Sequence, residues 1–223
     1  MNRMIPIAAA ALALVLGGGW YLTQGGASNT PAELPMSANA QDASEVDTSS
    51  IVEMVQGNPD AKVEVIEYAS YTCPHCANFH TSAYKELRKN YIDTGKIKFV
   101  YREVYFDKYG MWASMIARCG GAEKFFGITD LIYAGQKDWS RQGSELGIAN
   151  ALRKIGRVAG LEESAIETCL QDGDKVRTLV AWFQENAQRD DISSTPSFII
   201  NGTKYTNMNY TDFAAILDAE LAE

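Results

Sequence analysis

Basic residues are in short supply. The 223-residue chain carries 20 Lys and Arg against 28 Asp and Glu, a net charge of −8. That balance excludes a ready nucleic-acid-binding reading and leaves no basic patch for anionic lipid. Histidine is scarcer still, with two in the chain, and there are four cysteines. Cys73 and Cys76 have the spacing of a metal half-site, with His80 beyond them on what reads as a helix, half-exposed. No second pair of ligands with zinc spacing occurs, so no metal is expected. Ala77 directly after Cys76 removes the haem-attachment pattern as well. No cofactor is expected, and no internal repeat is visible.

Long apolar runs are limited to one. Residues 4–22 carry no charge and come directly after Arg3. Residues 1–24 therefore read as a secretory signal or as a single N-terminal membrane anchor. Gly25-Gly26-Ala27 offers small residues for cleavage, whereas Ala38-Asn39-Ala40 fits the same rule far from the apolar run. No Lys or Arg occurs between Arg3 and Lys62, which favours export of the chain beyond the apolar run. In both cases the body of the protein faces an oxidising space outside the cytoplasmic membrane, expected to be the bacterial periplasm. Residues 25–56 read as a flexible linker, with no aromatic residue over 25–50 and a short helical turn over 51–56. Behind a retained anchor this linker would reach roughly 25–30 Å.

Cys73-Pro74-His75-Cys76 lies between an alternating strand, Val63 to Tyr68, and a helical stretch, Phe79 to Tyr91. Pro74 suits a first helical position, where its missing N–H has no intrahelical partner. Cys73 then stands at the N-cap, facing unpaired N–H groups and the positive end of the helix dipole. A thiolate is stabilised there, so its pKa should fall below the free value of about 8.5, each unit favouring the anion by roughly 1.4 kcal/mol. His75 adds a donor, and when protonated a charge, within reach of the same sulfur. Cys76, one turn further in, should be the more buried and less acidic partner. The pattern points to thiol–disulfide exchange, in which a stable Cys73 thiolate leaves readily and the disulfide form oxidises strongly.

Val65 to Cys76 resembles the strand-to-active-site segment of DsbA-type thiol–disulfide oxidoreductases, including the Pro-His dipeptide between the cysteines. Ser194-Thr195-Pro196-Ser197-Phe198-Ile199-Ile200-Asn201-Gly202 resembles the cis-proline loop and adjoining strand of the thioredoxin superfamily. The resemblance covers about Gly57 to the C-terminus. It implies an α/β thioredoxin fold with an inserted helical domain: residues 57–108 form the first part, 109–190 the insertion and 191–223 the second part. It also implies that Thr195 and Pro196 line the peptide site opposite Cys73. Thr195 departs from the aliphatic residue of the best-known DsbA and is the type found in related disulfide isomerases and some other DsbA-like branches.

Glu67 lies six residues before Cys73 and shares a face with Val63 and Val65 by strict alternation. A buried acid near Cys76 matches the family's proton-handling carboxylate. The other reading is an edge acid paired with Lys62 or Lys98. Tyr71 and Phe79 are either core residues or part of an apolar contact surface for unfolded substrate.

The coarse pattern gives a second strand over 96–103 and helices over 109–120, 122–134, 144–159, 162–170 and 174–189, broken at glycines. A hairpin comes next over 197–201 and 203–206, then a terminal helix over 211–222. Cys119 and Cys169 fall late in two of the inserted helices. They pair if geometry permits, as in DsbA-like proteins that carry a second pair there, or remain two separate buried thiols. The implied partners are reduced or unfolded exported proteins and a DsbB-type membrane protein that re-oxidises the chain. No dimerisation domain is evident, so a monomer is expected. The alternatives are a reductase or isomerase on the same fold, and a metal-binding or chaperone-like module.

Overall fold

The computed structural model describes residues 46–223. Five strands form one sheet in the order β1-β3-β2-β4-β5, with β1 at Met54–Gly57, β2 at Val63–Ala69, β3 at Ile97–Glu103, β4 at Ser197–Ile200 and β5 at Thr203–Thr206. Only β2 and β3 are parallel; β1–β3, β2–β4 and β4–β5 pair antiparallel. The parallel pair needs a crossover, supplied by α1 (Pro74–Thr81), α2 (Ala83–Leu87) and a π-helical turn, Arg88–Ile92. Between β3 and β4 lie α3 (Lys108–Cys119), α4 (Gly121–Ala134), α5 (Gln136–Trp139), α6 (Glu145–Val158), α7 (Glu163–Leu170) and α8 (Gly173–Arg189). The helix α9 (Tyr210–Ala222) ends the chain. This order is a thioredoxin fold with a helical insertion before the last hairpin.

Alternation along β2 explains how the sheet is covered on both faces. Val63, Val65 and Ala69 join the large core with Phe79, Phe198, Phe213 and the inserted helices. Ile66 and Tyr68 join a smaller cluster with Val100, Val104 and Ile199. Glu67 therefore shares the face of Val65 and Ala69. Its register neighbours are Tyr101 on β3 and Phe198 on β4.

Residues 51–56 do not form the expected helical turn. Met54–Gly57 instead pairs with the edge of β3, Met54 opposite Tyr101 and Gly57 opposite Lys98. The unpaired edge of β3 offers more hydrogen bonds than an isolated helical turn can make. Gly57 permits this, because its φ is +83° and a Cβ there would lie 2.4 Å from the Ile97 carbonyl oxygen. The sheet thus takes residues from the expected linker. The expected signal or anchor and residues 25–45 lie outside the described residues. Among the described residues no helix is long and apolar enough to cross a membrane.

The helix expected over Phe79 to Tyr91 is also broken. Thr81 and Ser82 hydroxyls donate back to the carbonyls of Ala77 and Asn78, at 2.7 and 2.6 Å. Ser82 leaves helical geometry (φ −128°, ψ −92°), and α2 restarts at Ala83. Such back-bonding competes with the helical ladder and bends it.

The insertion is tied to the sheet and to itself. Cys119 on α3 and Cys169 on α7 form a disulfide across 50 residues. Arg118 pairs with Glu103 at the end of β3, at 2.6 Å and 2.7 Å, and Ser114 donates to the same carboxylate.

Candidate active site

Cys73 caps α1 with extended backbone (φ −77°, ψ 119°), and Pro74 opens the helix. The capping turn is fixed from both sides. The Cys73 N–H donates to the Ser70 carbonyl at 3.1 Å, and the Ala77 N–H donates to the Cys73 carbonyl at 3.1 Å. From α5 the Gln136 side-chain amide donates to the carbonyls of Tyr71 and Cys73, at 2.8 and 2.9 Å. Gln136 is buried, and a glutamine on a four-residue helix gives no sequence signal for this task.

Cys73 and Cys76 are unbridged and are polarised in opposite senses. The Cys73 thiol is lowered to about 5. The largest cause is the hydrogen bond from Cys76; burial opposes it, and the Thr195 side chain and the backbone N–H groups of Cys76 and His75 add to it. Burial pushes the Cys76 thiol well up, helped by the neighbouring Cys73 sulfur and then by the negative charge of Glu67. His75 reaches the sulfur through its backbone N–H, and its side chain is exposed. The helix N-terminus expected from the sequence thus acts on the sulfur through the backbone N–H groups of His75 and Cys76.

The loop before β4 closes over the thiol. The Thr195–Pro196 bond is cis, and Pro196 is buried. The Cys73 Sγ lies 3.5 Å from the Thr195 carbonyl oxygen. The Thr195 hydroxyl is buried without a hydrogen-bond partner, and the Thr195 side chain lowers the pKa of both Cys73 and Cys76. The Ser197 hydroxyl donates to the Ser194 carbonyl at 2.8 Å and holds the loop shut.

Glu67 is fully buried, as alternation predicts, but its partner is neither Lys62 nor Lys98. Lys98 binds Glu64 instead. The Nε2 atom of His80 meets both Glu67 carboxylate oxygens, at 3.1 and 2.9 Å. His80 is therefore not the half-exposed helix residue that its sequence context suggests. It is 3 % exposed, stacked on Tyr133 with ring centroids 4.3 Å apart and flanked by Tyr84 and Tyr101. Sequence reasoning does not single it out as a site residue. Its four-residue spacing from Cys76, one helical turn, is the available signal. Among the described residues no group of three His, Cys, Asp or Glu side chains could hold a metal ion.

Tyr71 and Phe79 are 1 % and 2 % exposed, which corrects the reading of them as a surface patch for substrate. The Tyr71 hydroxyl bonds Thr129 at 2.8 Å, and its ring packs on Tyr101 and Tyr133. Phe79 packs against Phe198 and Phe213. Both lie where the α1 segment faces the sheet, and burying an aromatic side chain there outweighs leaving it in water. Phe79 keeps one link with the surface. It borders a groove of about 600 Å³ along α1, shared with Asn78, Ser82, Met208 and Tyr210.

Comparison with known proteins agrees with this geometry. A family model described as Thioredoxin matches residues 49–219. A relative from Rickettsia bellii, named putative protein-disulfide oxidoreductase, is 36% identical over 172 residues, covering 77% of this chain and 65% of the relative. The chain therefore spans just under two thirds of that protein's length. Disulfide bond formation protein D of Bacillus subtilis is 24% identical over 175 residues, covering 75% of this chain and 76% of the relative. The crystal structure of Wolbachia pipientis alpha-DsbA1 superposes with a TM-score of 0.70 at 24% identity, covering 76% of this chain and 91% of that one, a likeness of fold.

Proposed function

The chain belongs to the thioredoxin family matched over residues 49–219, and on that premise we propose that it is a thiol–disulfide oxidoreductase donating disulfides to exported proteins through Cys73-Pro74-His75-Cys76. One observation carries this reading. Two sulfurs a helical turn apart are pushed in opposite directions, Cys73 toward the anion and Cys76 toward the thiol. The relatives' printed names, protein-disulfide oxidoreductase and disulfide bond formation protein, support the same class of chemistry.

In the oxidised protein a substrate thiolate attacks Cys73 Sγ. The Cys73–Cys76 bond breaks, and Cys76 leaves with the electron pair and takes up a proton. A second substrate thiolate then attacks the substrate sulfur of the mixed disulfide. Cys73 leaves as a thiolate, the substrate gains a disulfide, and the protein is reduced by two electrons. A leaving thiol with a pKa of about 5 departs readily at neutral pH. Thr195, whose carbonyl faces the Cys73 sulfur, and Pro196 line the site where a substrate backbone docks. The reaction is placed in the bacterial periplasm, with the N-terminal segment as export signal or tether. A DsbB-type membrane protein restores the disulfide, and the chain acts as a monomer.

Equilibration with glutathione buffers tests the proposal. A disulfide donor is reduced by mildly reducing mixtures and passes one disulfide per molecule to a reduced two-cysteine peptide. Resistance to such mixtures overturns the donor reading and supports a reductase or isomerase. The Thr195 hydroxyl beside the sulfurs is the feature that favours that second reading.

A further inference from the structure

The reaction proposed above leaves a proton to be moved. Cys76 is fully buried, and so is Glu67, whose charge it feels. Neither group reaches solvent by itself, yet every turnover puts one proton on Cys76 or takes one off.

His80 supplies the missing connection. Its Nε2 atom is engaged by both oxygens of Glu67. Its Nδ1 atom is buried with no hydrogen-bond partner. A buried ring nitrogen left without a partner is costly, and its retention calls for an explanation. His80 also forms part of the wall of a cavity of about 270 Å³, together with Tyr84, Lys85, Arg88, Asp130, Tyr133 and Ala134. Its lining is mainly apolar with Lys85, Arg88 and Asp130 as charged groups, and its volume admits several waters. Lys85 on α2 is exposed, and Arg88 pairs with the half-buried Asp130 of α4 at 3.1 Å. The groups facing His80 are thus Glu67 from β2, Tyr84, Lys85 and Arg88 from α2 and the turn after it, Tyr101 from β3, and Asp130 and Tyr133 from α4.

Resting on the proposed thiol–disulfide exchange, we infer that His80 is a positioning residue that acts through Glu67, relaying the Cys76 proton between the Glu67 carboxylate and the water-accessible cavity bounded by Lys85, Arg88 and Asp130. An imidazole can do this because its two nitrogens exchange donor and acceptor roles. When Cys76 leaves as a thiolate, it takes a proton passed from Nε2 by way of the Glu67 carboxylate, while Nδ1 takes one from cavity water. When Cys76 must attack, its thiol proton passes to Glu67 and on to Nε2, and Nδ1 releases a proton to the cavity. Charge and protons balance in each direction, and no further reactant is needed.

Two-phase reaction of the reduced protein with a small aromatic disulfide tests this. In the first phase the Cys73 thiolate forms a mixed disulfide and releases one coloured thiolate. In the second, deprotonated Cys76 attacks Cys73 Sγ, releases the other and leaves the Cys73–Cys76 disulfide. Wild-type protein lacking the first phase would remove the exchange reading itself. With that phase present, His80→Gln is expected to slow the second phase by about 100-fold at neutral pH, the range of a general acid–base contribution. Its rate should then rise in proportion to hydroxide, and added imidazole should restore it. Ala134→Phe, which fills the cavity and leaves His80 intact, should slow the same phase. A second phase of wild-type rate in either variant, or slowing in His80→Gln with a wild-type pH profile and no rescue by imidazole, overturns the inference.

Discussion

The sulfur of Cys73 lies 3.5 Å from the carbonyl oxygen of Thr195, 122 residues further along the chain. The helix N-terminus and the cis-proline loop therefore meet at one atom. The chemistry of the site is set by the groups those two segments offer that sulfur.

Thr195→Val keeps the shape of the loop and removes its hydroxyl. The Thr195 side chain lowers the Cys73 pKa, so its loss should raise it, by up to about one unit for a single hydrogen bond. Thiolate absorbance against pH measures this. An unchanged midpoint would mean that the hydroxyl does not reach the sulfur.

The Cys119–Cys169 bridge closes a 50-residue loop away from the reactive pair. By chain entropy, replacing both cysteines with serine should destabilise the protein by about 4 kcal/mol. Urea unfolding with Cys73 and Cys76 held reduced gives the value. Loss of less than about 1 kcal/mol would show that the bridge contributes little beyond packing of α3 against α7.

Arg118 and Glu103 are 4% and 1% exposed at their side chains, so removing one leaves the other's charge buried without an opposite charge. Arg118→Met should cost about 3–5 kcal/mol, and adding Glu103→Leu should recover part of it. A double variant as unstable as the single one would place the pair's importance in side-chain packing.

Reduced and oxidised forms should respond differently to pH. In the folded reduced protein the Cys73 thiol is depressed to about 5. Its stabilising contribution is complete above the unfolded value of about 8.5 and is lost as pH falls through about 5. The oxidised form has no such titration. The stability advantage of the reduced form should therefore shrink between about pH 8 and pH 5, as measured by urea unfolding of both forms. A constant gap would contradict the thiolate assignment.

Much of the fold and of the site is legible in the residues themselves. Alternation in Val63, Val65 and Glu67 places an acid on the core face, because a strand's period of two leaves no other choice. Pro74 after Cys73 marks a helix start, because only the first turn tolerates a missing N–H. The features that escape the sequence depend on distant partners. Gln136 acts on a turn 63 and 65 residues away. His80 becomes a buried partner of Glu67 only once β2, α1 and α4 close around it. Met54–Gly57 is a strand because β3 has a free edge, which local propensity does not record. Tyr71 and Phe79 are aromatic beside a reactive site, and aromatic character alone does not distinguish a core wall from a contact surface.

Ultraviolet titration of the reduced protein, with a Cys73→Ser variant as baseline, reads the Cys73 thiolate itself. The expected midpoint lies near pH 5, with Cys76 remaining a thiol through neutrality. A midpoint close to the free-cysteine value of about 8.5 would contradict it.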